Sequence, residues 1–309
     1  MTETTMTGGR LRIEARNLTK RFGDITAVDD LGFTVEPGRI TGFLGPNGAG
    51  KTTTMRMMIG HITPTSGSVT IGGKRYHELA DPSATVGAVF DAASFHPDHS
   101  ARDHLRVYAA MGGHPDGRVD ELLSLMDLTG AARRRTRGFS TGMRQRLNLA
   151  TALLGDPRVL LLDEPSNGLD PAGTAWLRSF LRHLAGEGRT VLISSHVLGE
   201  IQQVADDVVV IRQGRMVAAA PLAELSGTAP AVLVHSPDAE AVARMLVQQP
   251  FAGYETRVER IGPEQLRVWG PDPASLADLA AAHRLRIHGL TPEEPDLERL
   301  FLDLTGSMR

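Results

Sequence analysis

The chain has 309 residues, 41% hydrophobic and 22% charged, the composition of a globular protein long enough for a large domain and a smaller one. Its 33 basic and 36 acidic residues leave a net charge of −3, so there is no overall attraction for nucleic acid or an anionic membrane. It has no cysteine, which excludes disulfides, thiolate metal sites and cysteine nucleophiles and fits a reducing compartment.

Residues 1–10 are small and polar, with neither the basic start nor the apolar core of a signal peptide, and read as a disordered tail. No run reaches 18 apolar residues, so no segment is expected to span a bilayer by itself. Residues 11–35 read as β-rich. Arg12-Ile13-Glu14-Ala15 alternates, and Leu31-Gly32-Phe33-Thr34-Val35 alternates again before the turn at Glu36-Pro37-Gly38. Between them, Phe22 reads either as a packing residue or as an aromatic face on which a base stacks.

Residues 40–44 read as a buried strand. They run into Gly45-Pro46-Asn47-Gly48-Ala49-Gly50-Lys51-Thr52-Thr53, a Gly-x4-Gly-Lys-Thr phosphate-binding loop. Gly45, Gly48 and Gly50 lack Cβ, so the backbone can curl and bring its N–H groups, Ala49 and Thr53 included, close to a phosphate chain. Lys51 reaches the β- and γ-phosphates as a point charge, and Thr52 presents a hydroxyl to Mg²⁺. A helix is expected over residues 52–59, ended by Gly60, with its N-terminus facing the anion.

Strands are expected at residues 68–71 and 86–90, the second ending at Asp91. From Pro97 the pattern turns helical, over 101–111 and 119–128, with apolar spacing at Leu122, Leu125 and Met126. Residues 92–156 form a candidate helical subdomain. His96, His99 and His104 lie close together, but no second ligand cluster accompanies them, and a solvated loop is the plainer reading. The basic run over residues 133–137 reads as a solvated face. Ser140 and Gly142 start a helix that Leu147, Ala150, Leu153 and Leu154 continue.

Residues 159–162 are continuously apolar, as in a strand buried on both faces, and end in Asp163-Glu164-Pro165. Two acids there are costly to bury without a cation. Beside a phosphate loop, Asp163 reads as the Mg²⁺ ligand and Glu164 as the group that orients the attacking water. A turn at 166–171 leads into a helix through Leu184. The strand at 190–195 is followed by His196, which reads either as a satisfied core residue or as a phosphate contact at a strand's carboxyl end. Residues 208–211 and 216–218 read as a hairpin around Gln213-Gly214.

Taken in order, these residues resemble the nucleotide-binding subunit of an ATP-binding-cassette (ABC) transporter over residues 11–220. Gly45 to Thr53 match the Walker A motif, Phe139 to Arg146 the family signature, and Leu160 to Pro165 the Walker B motif. Asn167, Gly168 and Asp170 fall in the D-loop, His196 at the switch histidine, and Phe22 at the adenine-stacking position. The resemblance implies an α/β P-loop NTPase cassette, a mixed sheet with a helical subdomain, that uses ATP and Mg²⁺. It implies two copies facing head to tail, with ATP held between one copy's Walker A loop and the other's Ser140 and Gly142. Glu164 and His196 would be the catalytic groups. A separate transmembrane permease would hold the subunit at the cytoplasmic face of the cell membrane. The signature departs from the family pattern at Thr141 and Met143. The family's Q-loop glutamine is replaced by Asp91, and some peptide-antibiotic self-protection exporters similarly carry Glu there; Asp91 is thereby a further candidate Mg²⁺ ligand.

In residues 221–309, strands are expected at 231–235, 254–260, 265–269 and 285–287, and helices at 239–248 and 274–282. That βαββαβ order is ferredoxin-like, an α+β accessory domain. Its 8 basic and 13 acidic residues argue against RNA binding on the small sheet. The region resembles the C-terminal extension of drug-exporting ABC ATPases, including the ending Asp296-Leu297-Glu298-Arg299-Leu300-Phe301. The expected function is the ATP-hydrolysing subunit of a drug or antibiotic exporter. The alternative is a soluble ABC ATPase acting on ribosomes or DNA, against which stand the single cassette and the lack of sustained heptads. Lys51, Glu164 and His196 together argue against a catalytically silent binding module.

Overall fold

The first layer follows from alternating apolar residues. β1 (Ile13–Phe22) and β2 (Ile25–Val35) form a hairpin in which Phe22 lies opposite Ile25. β3 (Ile40–Leu44) leaves for a second sheet, α1 (Lys51–Met58) follows, and β4 (Ser66–Ile71) returns to the free edge of β1. This is a computed structural model, and it describes residues 11–90, 95–225, 231–248 and 256–293. The hairpin strands are longer than the alternation at 12–15 and 31–35 suggests. Register shifts between Ala15, Leu18, Lys20 and Arg21 break the two-residue period along β1 and hide its length. Phe33 stacks on Phe43 with ring centroids 5.2 Å apart, joining the antiparallel layer to the sheet that carries β3.

That second sheet has the order β5-β6-β7-β3-β8-β9, where β5 is Val86–Val89, β6 Val159–Leu162, β7 Thr190–Ser195, β8 Asp207–Arg212 and β9 Arg215–Pro221. Pairing is parallel from β5 through β8. All four side chains of β6 are inaccessible, and each such Val or Leu contributes about 1.5–3 kcal/mol by burial. Parallel pairing also aligns carboxyl ends. Leu44 pairs with Ser195, and Leu162 with Ile193, so Gly45, Asp163 and His196 leave the sheet at one edge. At its far end α1 stops in a Schellman arrangement: Gly60, at φ +71°, donates to Met57 O, and His61 N donates to Arg56 O.

After α2 (Pro82–Thr85), the helical region is built from α3 (Ala101–Gly112), α4 (Gly117–Leu125) and α5 (Thr141–Ala152). Ser100 and Asp103 cap α3 reciprocally. The buried stripe of α4 is Val119, Leu122, Leu123 and Met126, the i, i+3, i+4, i+7 set. Leu125, expected in that stripe, falls one position off it and is 49% exposed. The three histidines do not converge: among the described residues no cluster could hold a metal ion. His96 and His99 stack on each other, while His104 is buried, with its Nε2 3.1 Å from Thr151 Oγ1.

Burial lowers the His104 pKa to about 4, with the neighbouring charge of His99 adding to the effect. Its ordinary value is about 6.5, so between about pH 6.5 and 4 the unfolded chain binds the extra proton. The stability linked to neutral His104 is therefore intact above that window and lost as pH falls through it. The thermal midpoint should drop from pH 7 to 5, and drop less in His104→Gln; an equal drop in both proteins would place the acid sensitivity elsewhere.

α6 (Pro171–Gly186) begins at Asp170, whose carboxylate accepts from Gly173 N at 2.7 Å, and α7 (Leu198–Val204) follows β7. The chain divides into two units between Ala220 and Pro221. The short α8 (Leu222–Leu225) opens the second unit. It continues with β10 (Ala231–His235), α9 (Ala239–Gln248), β11 (Arg257–Gly262), β12 (Gln265–Trp269), α10 (Pro273–Ala282) and β13 (Gly289–Glu293). The antiparallel order β11-β12-β10-β13 is ferredoxin-like, and Val232, Val234, Leu266 and Val268 face a core with Val242, Leu246 and Leu276.

Two expectations shift here. β11 starts at Arg257 rather than 254, and residues 254–255 lie outside the described residues, as does the ending 296–301. The last strand is Gly289–Glu293, not 285–287. Arg286 is instead held by Asp238, which it grips with both arms of its guanidinium, while Ser236 Oγ donates to Arg286 O. Pro292 is tolerated in β13 because that strand is at the sheet edge, where a missing N–H breaks no ladder.

Candidate functional site

The loop after β3 closes onto β2. Gly50 has φ +103°, and a Cβ there would lie 2.5 Å from Ala27 O, so the position accepts only glycine. Gly50 is also the N-cap of α1, and no side chain caps it, which leaves the first helical N–H groups for a ligand. Lys51 is only 6% exposed. Its Nζ donates to Gly45 O at 2.7 Å and Pro46 O at 3.4 Å, and lies 3.4 Å from Glu164 Oε1.

The end of β6 supplies the acids. Thr52 Oγ1 donates to Asp163 Oδ2 at 2.6 Å, and Ser194 Oγ donates to Asp163 Oδ1 at 2.5 Å. The Glu164 backbone N–H donates back to Ser194 Oγ at 2.9 Å. Glu164 itself has φ +47°, a left-handed conformation that is strained for a residue with Cβ and is retained where the surroundings enforce it. Its Oε2 is 2.9 Å from His196 Nδ1. An ionised carboxylate only accepts, so Nδ1 carries the proton in this contact. Glu164 thus stands between Lys51 on one oxygen and His196 on the other.

These groups face a cavity of about 380 Å³, lined by Asn47 through Thr53 and by Asp163, Glu164, Asn167 and His196, with Ala27, Val89 and Gln145 completing the wall. Gly45 and Pro46 lie behind it, as acceptors for Lys51. Ser140 and Gly142 do not join this cavity. They line a separate recess of about 400 Å³ with Leu169, Asp170, Arg146 and Trp176. Ser140 caps α5 by accepting from Met143 N. Gly168, at φ +73°, brings the D-loop against the signature: a Cβ there would lie 2.9 Å from Thr141 Cγ2. Phe22 is 48% exposed, with Lys20 Nζ 4.9 Å from its ring centroid. It is not a core residue, and it lies outside the cavity wall. Asp91 lies outside the described residues.

Three residues escaped the sequence reading. Ser194 ties Asp163 and Glu164 together. Glu200 Oε2 accepts from Ser166 Oγ at 2.6 Å and Ser195 Oγ at 2.9 Å, fastening the loop after β6 to the end of β7. Paired serines closing an apolar strand were the available signal for the first two. Gln145 had none.

Residues 28–167 match the protein family described as ABC transporter, and residues 230–298 match a domain of unknown function. Over 297 residues the chain is 35% identical to the bacitracin transport ATP-binding protein BcrA of Bacillus licheniformis, covering 95% of this chain and 97% of that protein. The chain belongs to the ABC transporter ATP-binding proteins. The Nod factor export ATP-binding protein I of Cupriavidus metallidurans is also 35% identical, over 302 residues that cover 95% of this chain and 97% of that one. A solved ATP-binding subunit of an ABC transporter superposes with a TM-score of 0.63 at 26% identity, over 69% of this chain and 91% of the other. The cassette is accordingly an ATP-binding ATPase subunit of this family.

Proposed function

We propose that the chain hydrolyses ATP in the cavity before α1, and that two copies placed head to tail drive a separate permease exporting a drug or peptide antibiotic. The observation that carries this reading is the convergence of Lys51, Asp163, Glu164 and His196 at the ends of three neighbouring parallel strands. The loop N–H groups and Lys51 bind the phosphates. Thr52 and Asp163 offer adjacent hard oxygen donors, a set suited to Mg²⁺, which when bound offsets phosphate charge. Asp91 remains a sequence-based candidate for the same ion.

Phosphate in the cavity competes with Glu164 for Lys51. Release of Oε1 lets Glu164 orient water and accept its proton, while His196, held through Nδ1, faces the terminal phosphate. The exposed ring of Phe22 is available to stack on adenine. Ser140 and Gly142 line a recess other than the cavity of their own chain, which supports their serving a second copy, with Asn167, Gly168 and Asp170 at the junction. Among the described residues no helix is long and apolar enough to cross a membrane. A permease at the inner face of the membrane is supported by the transport relatives, and an antibiotic cargo by the bacitracin-transport relative.

Mg²⁺-dependent ATP hydrolysis by the purified chain tests the first half. Loss of resistance to a cyclic peptide antibiotic in a Glu164→Gln strain tests the second. Unchanged resistance would assign another cargo, and co-purification with ribosomes would favour the soluble alternative. Every proposed nucleotide contact precedes residue 197, so a chain ending at Leu222 should bind ATP within about threefold of the parent. A folded truncated chain that fails to bind would place part of the site in residues 223–309.

A further inference from the structure

In the cavity wall one buried polar side chain has no hydrogen-bond partner among the described residues. Gln145 is 6% exposed, and its carboxamide hydrogen-bonds to none of the described residues. It opens onto the cavity beside Asp163, Glu164 and His196, and among the described residues it alone brings α3, α4 or α5 to that wall. Gln145 also lines the recess of Ser140 and Gly142. It therefore stands in the partition between the phosphate cavity and the signature face.

A buried amide is stable when both its donor and acceptor are used. The groups around Gln145 suit a neutral side chain with two N–H bonds. A lysine there would pair with the acids, and a glutamate would add a third negative charge to them. A phosphate oxygen arriving in the cavity would complete the amide. The neighbouring residue extends the connection: Arg146 lies 4.6 Å over the Trp176 ring and 3.0 Å from Asp127, and Trp176 lines the recess with Ser140.

We propose that Gln145 contacts ATP directly, donating from Nε2 to the terminal phosphate in the cavity of its own chain. Through α5 that contact sets the face which Ser140 and Gly142 offer to a second copy. The proposal rests on the reading of the cavity as the ATP site. It makes each signature face depend on the nucleotide of the same chain as well as on the partner's.

The chain has two tryptophans, and Trp269→Phe leaves Trp176 as the sole reporter at the recess. In that background, Gln145→Met keeps the side-chain length and removes the amide, while Gln145→Glu keeps the shape and adds charge. Affinities for ADP and for a non-hydrolysable ATP analogue are measured with Mg²⁺, together with Trp176 emission at saturation. The analogue should change Trp176 emission in the Gln145 protein, and ADP should not. Gln145→Met should bind the analogue about tenfold more weakly, hold ADP within about twofold, and lose the emission change. Gln145→Glu should bind the analogue more weakly still. An equal loss for both nucleotides would mean a packing role and overturn the proposal, as would parent-like behaviour of both variants or a Trp176 silent in the parent. If the parent binds neither nucleotide, the ATP reading of the cavity itself falls and takes this proposal with it.

Discussion

Glu164→Gln should bind ATP about as tightly as the parent chain and hydrolyse it at least about a hundredfold more slowly, about 2.7 kcal/mol of barrier. Glu164 is held at φ +47° by its N–H bond to Ser194, so the side chain at this position points at the same place whatever its charge. Glutamine has the same length and can still meet His196. It cannot accept the proton of an attacking water, and it loses the charge that pairs with Lys51 across 3.4 Å. Phosphate binding does not need that charge, since Lys51 is already anchored by Gly45 O and Pro46 O. Slow hydrolysis with intact binding predicts a long-lived ATP complex. Sizing by chromatography should then show an ATP-dependent dimer in the variant. Turnover near the parent rate would mean that another group positions the water.

The parts of the site that were legible in the sequence are those where one residue type is chemically forced. Gly50 must be glycine at its backbone angle, and two acids ending an apolar strand require a cation nearby. The buried strands 40–44, 159–162 and 190–195 were legible because continuous apolar runs between turns leave few alternatives. β1 was not, because its bulges break the alternation, and β13 was not, because Gly289, Pro292 and Glu293 are residues depleted in strands. Pairing with β10 decides that strand, and such pairing is a tertiary fact. The same holds for the site. The resemblance already gave Ser140 to the nucleotide of a second copy, and Ser140 and Lys51 do line different recesses of the single chain, but the shapes of those recesses come only from the fold. Ser194 and Glu200 act through partners that lie up to 34 residues away along the chain, and only the fold brings those partners to them.

Lys51→Met should lower ATP affinity on the order of a hundredfold, the largest binding loss expected of any single substitution here. Among the described residues Lys51 is the one buried lysine or arginine, and its surroundings explain why burial is tolerated. Two backbone carbonyls accept from Nζ and the Glu164 carboxylate stands nearby, so the charge is partnered before any ligand arrives. Held that way, Nζ is pre-positioned at the cavity floor, and a phosphate needs only to displace Glu164. Methionine fills the same volume without the charge. The loop N–H groups and the α1 N-terminus remain, which is why binding should weaken rather than vanish. Lys51→Arg should not restore it, because a planar guanidinium cannot meet carbonyls and phosphate from the one point that an ammonium occupies. Titration of both variants with ATP and Mg²⁺ measures this. Affinity within about threefold of the parent would show that the loop amides alone carry phosphate binding.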